Sequence, residues 1–131
     1  VSGLIWPDKQ AILDDLVEYF EEVGQSFTMR LLEDYEAGFE RARTAADYIE
    51  HADAAHIAAL LFEGIATRHP LVDGNKRLAW QCMAVFLDMN NIWFDAQEYA
   101  AFEMAMAVVA HSKTTEDMAE FIRVNTISAQ V

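Results

Sequence analysis

The chain has 131 residues, a formal net charge of −13 and a sequence pI of about 4.4. This length predicts a single domain over residues 1–131 with a core of its own. The charge excludes a general nucleic-acid binder, which needs broad positive surface, and any anionic ligand must therefore be met by a local group of cations.

The single cysteine, Cys82, excludes an internal disulfide and indicates a reducing compartment. No segment reaches the ~18 to 20 consecutive apolar residues of a membrane span, and no charged-then-apolar leader opens the chain. We therefore expect a cytoplasmic protein without membrane attachment and without direct nucleic-acid binding.

Six stretches show helical spacing of apolar residues, and no run of alternating strands is found. Gly24 marks the end of the first stretch, Asp53 can cap the third, and Pro70 prevents the third from continuing. The IWF segment at 92–94 predicts only a brief extended piece. The predicted helices cover about 8–23, 28–42, 54–68, 75–90, 96–110 and 115–124. The fold class is therefore all-α, with at most a minor hairpin.

The fourth predicted helix, which contains LAWQCMAVFLDM, is apolar nearly all the way round. A helix of this kind is usually buried on every side, so we expect it to be the central helix of the domain. Cys82 lies within it and is expected to be a small buried hydrophobic residue.

The stretch HPLVDGNKRLAW at 69–80 leads into this helix. Three of the nine basic residues, Arg68, Lys76 and Arg77, lie within ten positions here. The first amides of a helix lack internal partners and carry partial positive charge, so helix starts bind phosphates. Gly74 allows the loop to turn its N–H groups toward a ligand. The placement predicts an anion site at the helix start.

The side chains around this start suit phosphoryl or nucleotidyl transfer, which depends on positioning and charge stabilisation. His69 is a candidate general base near neutral pH. Asp73 suits Mg²⁺ held between one carboxylate and nucleotide phosphates. Asn75 can cap the helix or donate to an oxyanion, and Lys76 and Arg77 suit phosphate oxygens.

The same residues also fit a purely structural turn. Asp-Gly-Asn is ordinary turn chemistry, and asparagine is an ordinary helix cap. Cations at a helix start interact unfavourably with the helix dipole, so the presence of Lys76 and Arg77 there favours an anion-binding role. The residues alone leave both interpretations open.

HPLVDGNKR resembles the signature of the Fic/Doc family, in which a histidine is followed by an acidic residue, glycine or alanine, asparagine and a basic residue. The motif has a lysine, Lys76, between Asn75 and Arg77, and in this it resembles the Doc (death-on-curing) branch. Fic AMP-transferases carry glycine at that position, and a second arginine where this chain has Trp80. LLEDYEAGFERAR at 31–43 also resembles a Doc segment, and the six-helix plan fits the Fic fold.

The resemblance implies a transferase that uses ATP or another nucleoside triphosphate together with Mg²⁺. His69 would take the proton from a target hydroxyl and Asp73 would hold Mg²⁺. Gly74, Asn75, Lys76, Arg77 and Arg68 would bind phosphates.

The Doc branch implies a toxin that phosphorylates a threonine of elongation factor Tu, stops translation, and is inhibited by a small antitoxin. The alternatives are a Fic-type transferase of AMP to a protein hydroxyl, and a Fic-like binding module without catalysis.

Two positions depart from the Doc pattern. Thr67 stands where the pattern has arginine, with Arg68 instead adjacent to the histidine, and Leu71 replaces a phenylalanine. SKTTED at 112–117 nearly matches the inhibitory Fic pattern, but Asp117 breaks its last position. We interpret this stretch as a capped, acidic first helical turn. His51 and His56 are five residues apart, on different faces of a helix, and are expected to have surface roles.

Overall fold

The structure, a computed structural model, describes residues 3–128. This part of the chain contains six α-helices and one two-stranded sheet, which confirms the all-α fold class. The elements are α1 (Lys9–Glu22), α2 (Leu32–Tyr48), α3 (Ala54–Ala66), α4 (Asn75–Met89), β1 (Ile92–Phe94), α5 (Glu98–Val109), α6 (Thr115–Val124) and β2 (Thr126–Ser128).

Short polar side chains begin several of these helices. The Asp53 carboxylate accepts the amide of His56 at 3.0 Å, as predicted for the start of α3. At the start of α6, Thr114 Oγ1 accepts the amide of Asp117 at 3.1 Å, and the Asp117 carboxylate accepts the amide of Thr114 at 2.8 Å. This reciprocal capping box confirms that the SKTTED stretch forms a capped, acidic first turn.

The second helix begins at Leu32 rather than near residue 28, because the preceding residues pair with the loop before α4. The Arg30 and Leu31 amides donate to the Pro70 carbonyl at 2.7 and 3.0 Å, and the Val72 amide donates to the Thr28 carbonyl at 3.0 Å. We call residues Thr28–Leu31 the strap. These residues are not helical: Met29 forms an antiparallel bridge with Leu71, and Leu31 has an extended backbone.

The centre of the fold is shared by α3 and α4. Ten of the thirteen residues of α3 are buried, and this helix packs against α2, α4 and α6. Only six of the fifteen residues of α4 are buried. The expectation that α4 is buried on every side is therefore wrong for one of its faces, where Trp80, Gln81, Ala84 and Val85 remain partly exposed.

Cys82 is fully buried on the inner face of α4, as expected. Its Sγ lies 3.7 Å from the hydroxyl of Tyr35 on α2. Burial raises the pKa of the Cys82 thiol to about 12, so the thiol stays protonated near neutral pH. This cysteine is a core residue.

The brief extended segment at 92–94 is confirmed, and its partner lies far along the chain. β1 pairs antiparallel with β2, with Trp93 opposite Ile127. The sequence pattern did not reveal β2. None of the helices described over residues 3–128 is long and apolar enough to cross a membrane.

Candidate active site

The loop between α3 and α4 is held by the side chain of Asn75. Its Oδ1 accepts the Leu71 amide at 2.7 Å, and its Nδ2 donates to the Leu71 carbonyl at 3.0 Å. The Leu71 side chain is buried in the core. Asn75 is the first residue of α4 and not its cap, so the capping alternative is wrong. Instead, this amide links the loop to the helix start through Leu71.

Gly74 precedes the helix and adopts a left-handed backbone conformation, with a φ of 90°. A Cβ atom at this position would lie 2.5 Å from Cζ of Phe20, which belongs to α1. Both the backbone conformation and the close contact therefore require glycine. Within the described residues, no side chain accepts the first amides of α4. These amides remain available to an anion.

Asp73 lies beside Gly74 and is exposed. Its Oδ1 accepts the Gly74 amide at 2.9 Å, which orients the carboxylate at the edge of the loop. No group of three or more potential metal ligands occurs in the described part of the chain. A single exposed carboxylate matches the way Mg²⁺ is bound when phosphates supply further ligands.

Lys76 and Arg77 are both exposed on the first turn of α4. The guanidinium carbon of Arg77 lies 4.6 Å from the ring centre of Tyr19 on α1. This cation–π contact orients the guanidinium without consuming its N–H donors. Tyr19 is a residue of the site that the sequence did not point to.

Arg68 is placed differently from the other two cations. Its Nη1 donates to the carbonyl of Gly64 at 3.0 Å, within α3. The guanidinium therefore contacts the last turn of that helix, where a cation suits the dipole. Its role in phosphate binding stays a prediction.

His69 is exposed, and its backbone is left-handed, with a φ of 53°. Within residues 3–128 its imidazole forms no hydrogen bond or ion pair. Its carbonyl accepts Nε of Arg30 at 2.7 Å, and the Arg68 carbonyl accepts Nη2 of the same guanidinium at 2.9 Å. Sequence reasoning missed Arg30, because its partners lie 38 and 39 residues further along the chain.

A cleft of about 500 Å³ opens beside the two exposed cations, between α4, β1 and α5. Lys76 and Arg77 contribute to its wall, together with acidic residues at the start of α5. The rest of the lining is mainly apolar. The acidic residues are Asp95 and Glu98, and the apolar lining includes Trp80, Phe94, Phe102 and Met106. The volume lies within the range of small-molecule sites.

Comparison with known proteins gives a family for this chain. The sequence model of one family, described as the Fic/DOC family, matches residues 9–87. The matched region includes the strap, the loop and nearly all of α4. No significant match was found among curated proteins.

Proposed function

Because the chain belongs to the Fic/DOC family, we propose that it transfers the γ-phosphoryl group of ATP, or of another nucleoside triphosphate, to a protein hydroxyl. Family membership indicates a transferase that modifies proteins. To this the proposal adds that the transferred group is the γ-phosphoryl group, and that the chain is a Doc-type toxin acting in the cytoplasm. Its target would carry a serine or threonine, as elongation factor Tu does, and a small antitoxin would inhibit it.

The observation that carries the proposal is the start of α4. No described side chain caps it, and both side chains that follow Asn75 are exposed cations. Placing two cations at the positive end of a helix costs stability unless an anion neutralises them. The first amides of α4, which no described side chain accepts, together with Lys76 and Arg77 suit a polyphosphate.

The chemistry assigns the base role to His69. The target oxygen forms a bond to the γ-phosphorus, the bond from that phosphorus to the β,γ-bridging oxygen breaks, and a nucleoside diphosphate leaves. His69 takes the hydroxyl proton as the new bond forms. Its exposure leaves the imidazole accessible to a hydroxyl on another protein.

Asp73 is the residue that would hold Mg²⁺, with the phosphates completing its coordination. When bound, Mg²⁺ neutralises charge on the phosphates. The apolar cleft beside Lys76 has the size and aromatic lining to accommodate a nucleoside.

Lys76 is the reason for preferring phosphoryl over AMP transfer. A long cation stands where AMP-transferring relatives carry glycine, and its side chain is exposed at the start of α4. We expect a cation at this position to change how the phosphate chain lies. The nucleotide is thus held with its γ-phosphate, rather than its α-phosphate, toward His69.

The test uses ATP labelled at either the γ- or the α-phosphate, incubated with the protein, Mg²⁺ and bacterial lysate. Label is expected on protein only from the γ-position. Transfer from the α-position alone would replace the kinase proposal with AMP transfer. No transfer from either position, with toxicity that persists in His69→Ala, would indicate a binding module.

His69→Ala should lower transfer by about 10²- to 10⁴-fold, because a general base is removed. Thermal stability should hardly change, since the imidazole is exposed and forms no hydrogen bond or ion pair within the described residues. His111→Ala is the matched control, because His111 is also exposed and left-handed, with a φ of 62°. A collapse of stability in His69→Ala alone would assign the histidine a structural role.

A further inference from the structure

Within residues 3–128 no side chain forms a hydrogen bond or an ion pair with the His69 imidazole. Catalytic bases are commonly oriented by a third group that hydrogen-bonds to the far side of the base. The direction of this imidazole is instead set by the backbone at residue 69. That backbone is left-handed, a conformation that non-glycine residues adopt only when surrounding contacts hold it.

The contacts that hold it come from Arg30 in the strap. Its guanidinium donates to the carbonyls of Arg68 and His69, on both sides of the strained residue, at 2.9 and 2.7 Å. Its own backbone amide donates to the next carbonyl, that of Pro70, at 2.7 Å. A single residue thus binds three successive carbonyls of the loop.

Asp34, one turn further along in α2, orients this guanidinium. Its Oδ2 accepts the same Nη2 at 2.9 Å, so the guanidinium is held between the carboxylate and the loop. On the C-terminal side of His69, Asn75 binds both polar groups of Leu71. The histidine therefore lies between two fixed points, one in the strap and one at the start of α4.

From this geometry we propose that Arg30 is the positioning residue of His69. Its two carbonyl contacts hold the left-handed backbone and thereby aim the imidazole at the target hydroxyl. This inference rests on the proposed role of His69 as a base. In this proposal Arg30 acts through His69 and not on the nucleotide or the target.

The test compares Arg30→Met and the milder Arg30→Lys with a matched arginine. Arg41, on α2, forms an ion pair with Glu63 at 2.7 Å and is similarly exposed, at 38% against 45% for Arg30. Arg41→Met therefore removes an arginine contact, here between α2 and α3, without touching the loop. Asp34→Asn leaves the carbonyl contacts of Arg30 and removes only the negative charge of its orienting partner.

The first measurement is kinetic. Arg30→Met should lower kcat for phosphoryl transfer by about 10²-fold, because small misplacements of reacting groups cost about that much. The KM for ATP should stay near the wild-type value, since the phosphate-binding residues are unchanged. Arg30→Lys and Asp34→Asn should show smaller kcat losses, and Arg41→Met none. An unchanged kcat in a folded Arg30→Met would overturn the proposal, and if that variant does not fold, an unchanged kcat in Arg30→Lys would do so.

The second measurement is independent of activity. The three-bond coupling between the amide and α protons of His69 reports φ in solution. It should change in Arg30→Met and stay at the wild-type value in Arg41→Met. If the wild-type protein transfers no phosphate, the proposed function fails, while this coupling still decides whether Arg30 holds the backbone. An unchanged coupling in Arg30→Met would show that the backbone is held without it.

Discussion

At the scale of single residues, two left-handed positions define the loop. His69 and Gly74 lie five residues apart, and each turns the chain in a direction that most residues avoid. The first presents a side chain, and the second brings the chain onto the start of α4 against Phe20. The loop owes its shape to these two turns and to the Asn75 side chain between Leu71 and the helix.

Gly74→Ala tests the second turn. The substitution adds a Cβ atom that would overlap Phe20, in a backbone conformation that opposes alanine. We expect a loss of about 2 to 4 kcal/mol in the free energy of unfolding, from overpacking and from the positive φ together. Urea unfolding measures this loss.

Gly24→Ala separates the two causes. Gly24 has a similar φ of 73°, but an added Cβ there would meet nothing within 4 Å. Gly24→Ala should lower the free energy of unfolding by only about 1 to 2 kcal/mol, the part of the loss that comes from the backbone conformation. Equal losses in the two variants would mean that Phe20 moves away and that the contact does not require glycine.

At the scale of elements, α6 is tied to the start of α3 by charge as well as by packing. Arg123 donates to both carboxylate oxygens of Asp53, at 2.8 and 3.0 Å, and also contacts Glu116 and Glu120 at 3.3 Å. The hydrogen bonds from Arg123 hold the pKa of Asp53 below its ordinary value. One carboxylate thus caps α3 and anchors α6.

Asp53→Asn should therefore have a pH-dependent effect. Because the folded-state pKa is lowered, the stabilisation is complete above the ordinary aspartate pKa of about 3.9 and is lost as the pH falls through the folded-state value. Near pH 7 the variant should be less stable than the wild type by about 0.5 to 1 kcal/mol, since asparagine still caps the helix. The difference should close in strong acid.

Thermal unfolding from pH 7 to pH 2 measures this difference. Asp15→Asn is the control, because the Asp15 side chain is exposed and has no hydrogen bond or ion pair within the described residues. Its difference from the wild type should vary little with pH. A constant difference for Asp53→Asn across the range would show that the ion pair with Arg123 contributes nothing.

Prediction from the sequence succeeded where interactions are local and failed where they join distant segments. The apolar spacing located all six helices, and Asp53 and Thr114 act as caps because capping involves neighbouring residues. The late start of α2 could not be seen, because the pairing of the strap with Pro70 depends on tertiary structure. The same reason hid Arg30 and Tyr19, whose partners in the site lie far along the chain.

At the scale of the whole molecule, a net charge of −13 repels nucleotides, and binding depends on the few cations at the start of α4. If these cations bind the phosphates, ATP should stabilise the folded chain. At 100 times its dissociation constant a ligand adds about 2.7 kcal/mol, which corresponds to a rise of roughly 10 °C in Tm for a chain of this size.

Lys76→Met and Arg77→Met should lose much of this rise, measured by thermal unfolding with Mg²⁺ and ATP at constant ionic strength. Lys113→Met is the matched control, since it changes the net charge equally at an exposed position in the turn before α6. His69→Ala should keep the full rise, because the base acts on the hydroxyl and not on the bound phosphates. If the rise in Tm falls equally in Lys76→Met, Arg77→Met and Lys113→Met, overall charge, rather than the start of α4, governs nucleotide binding.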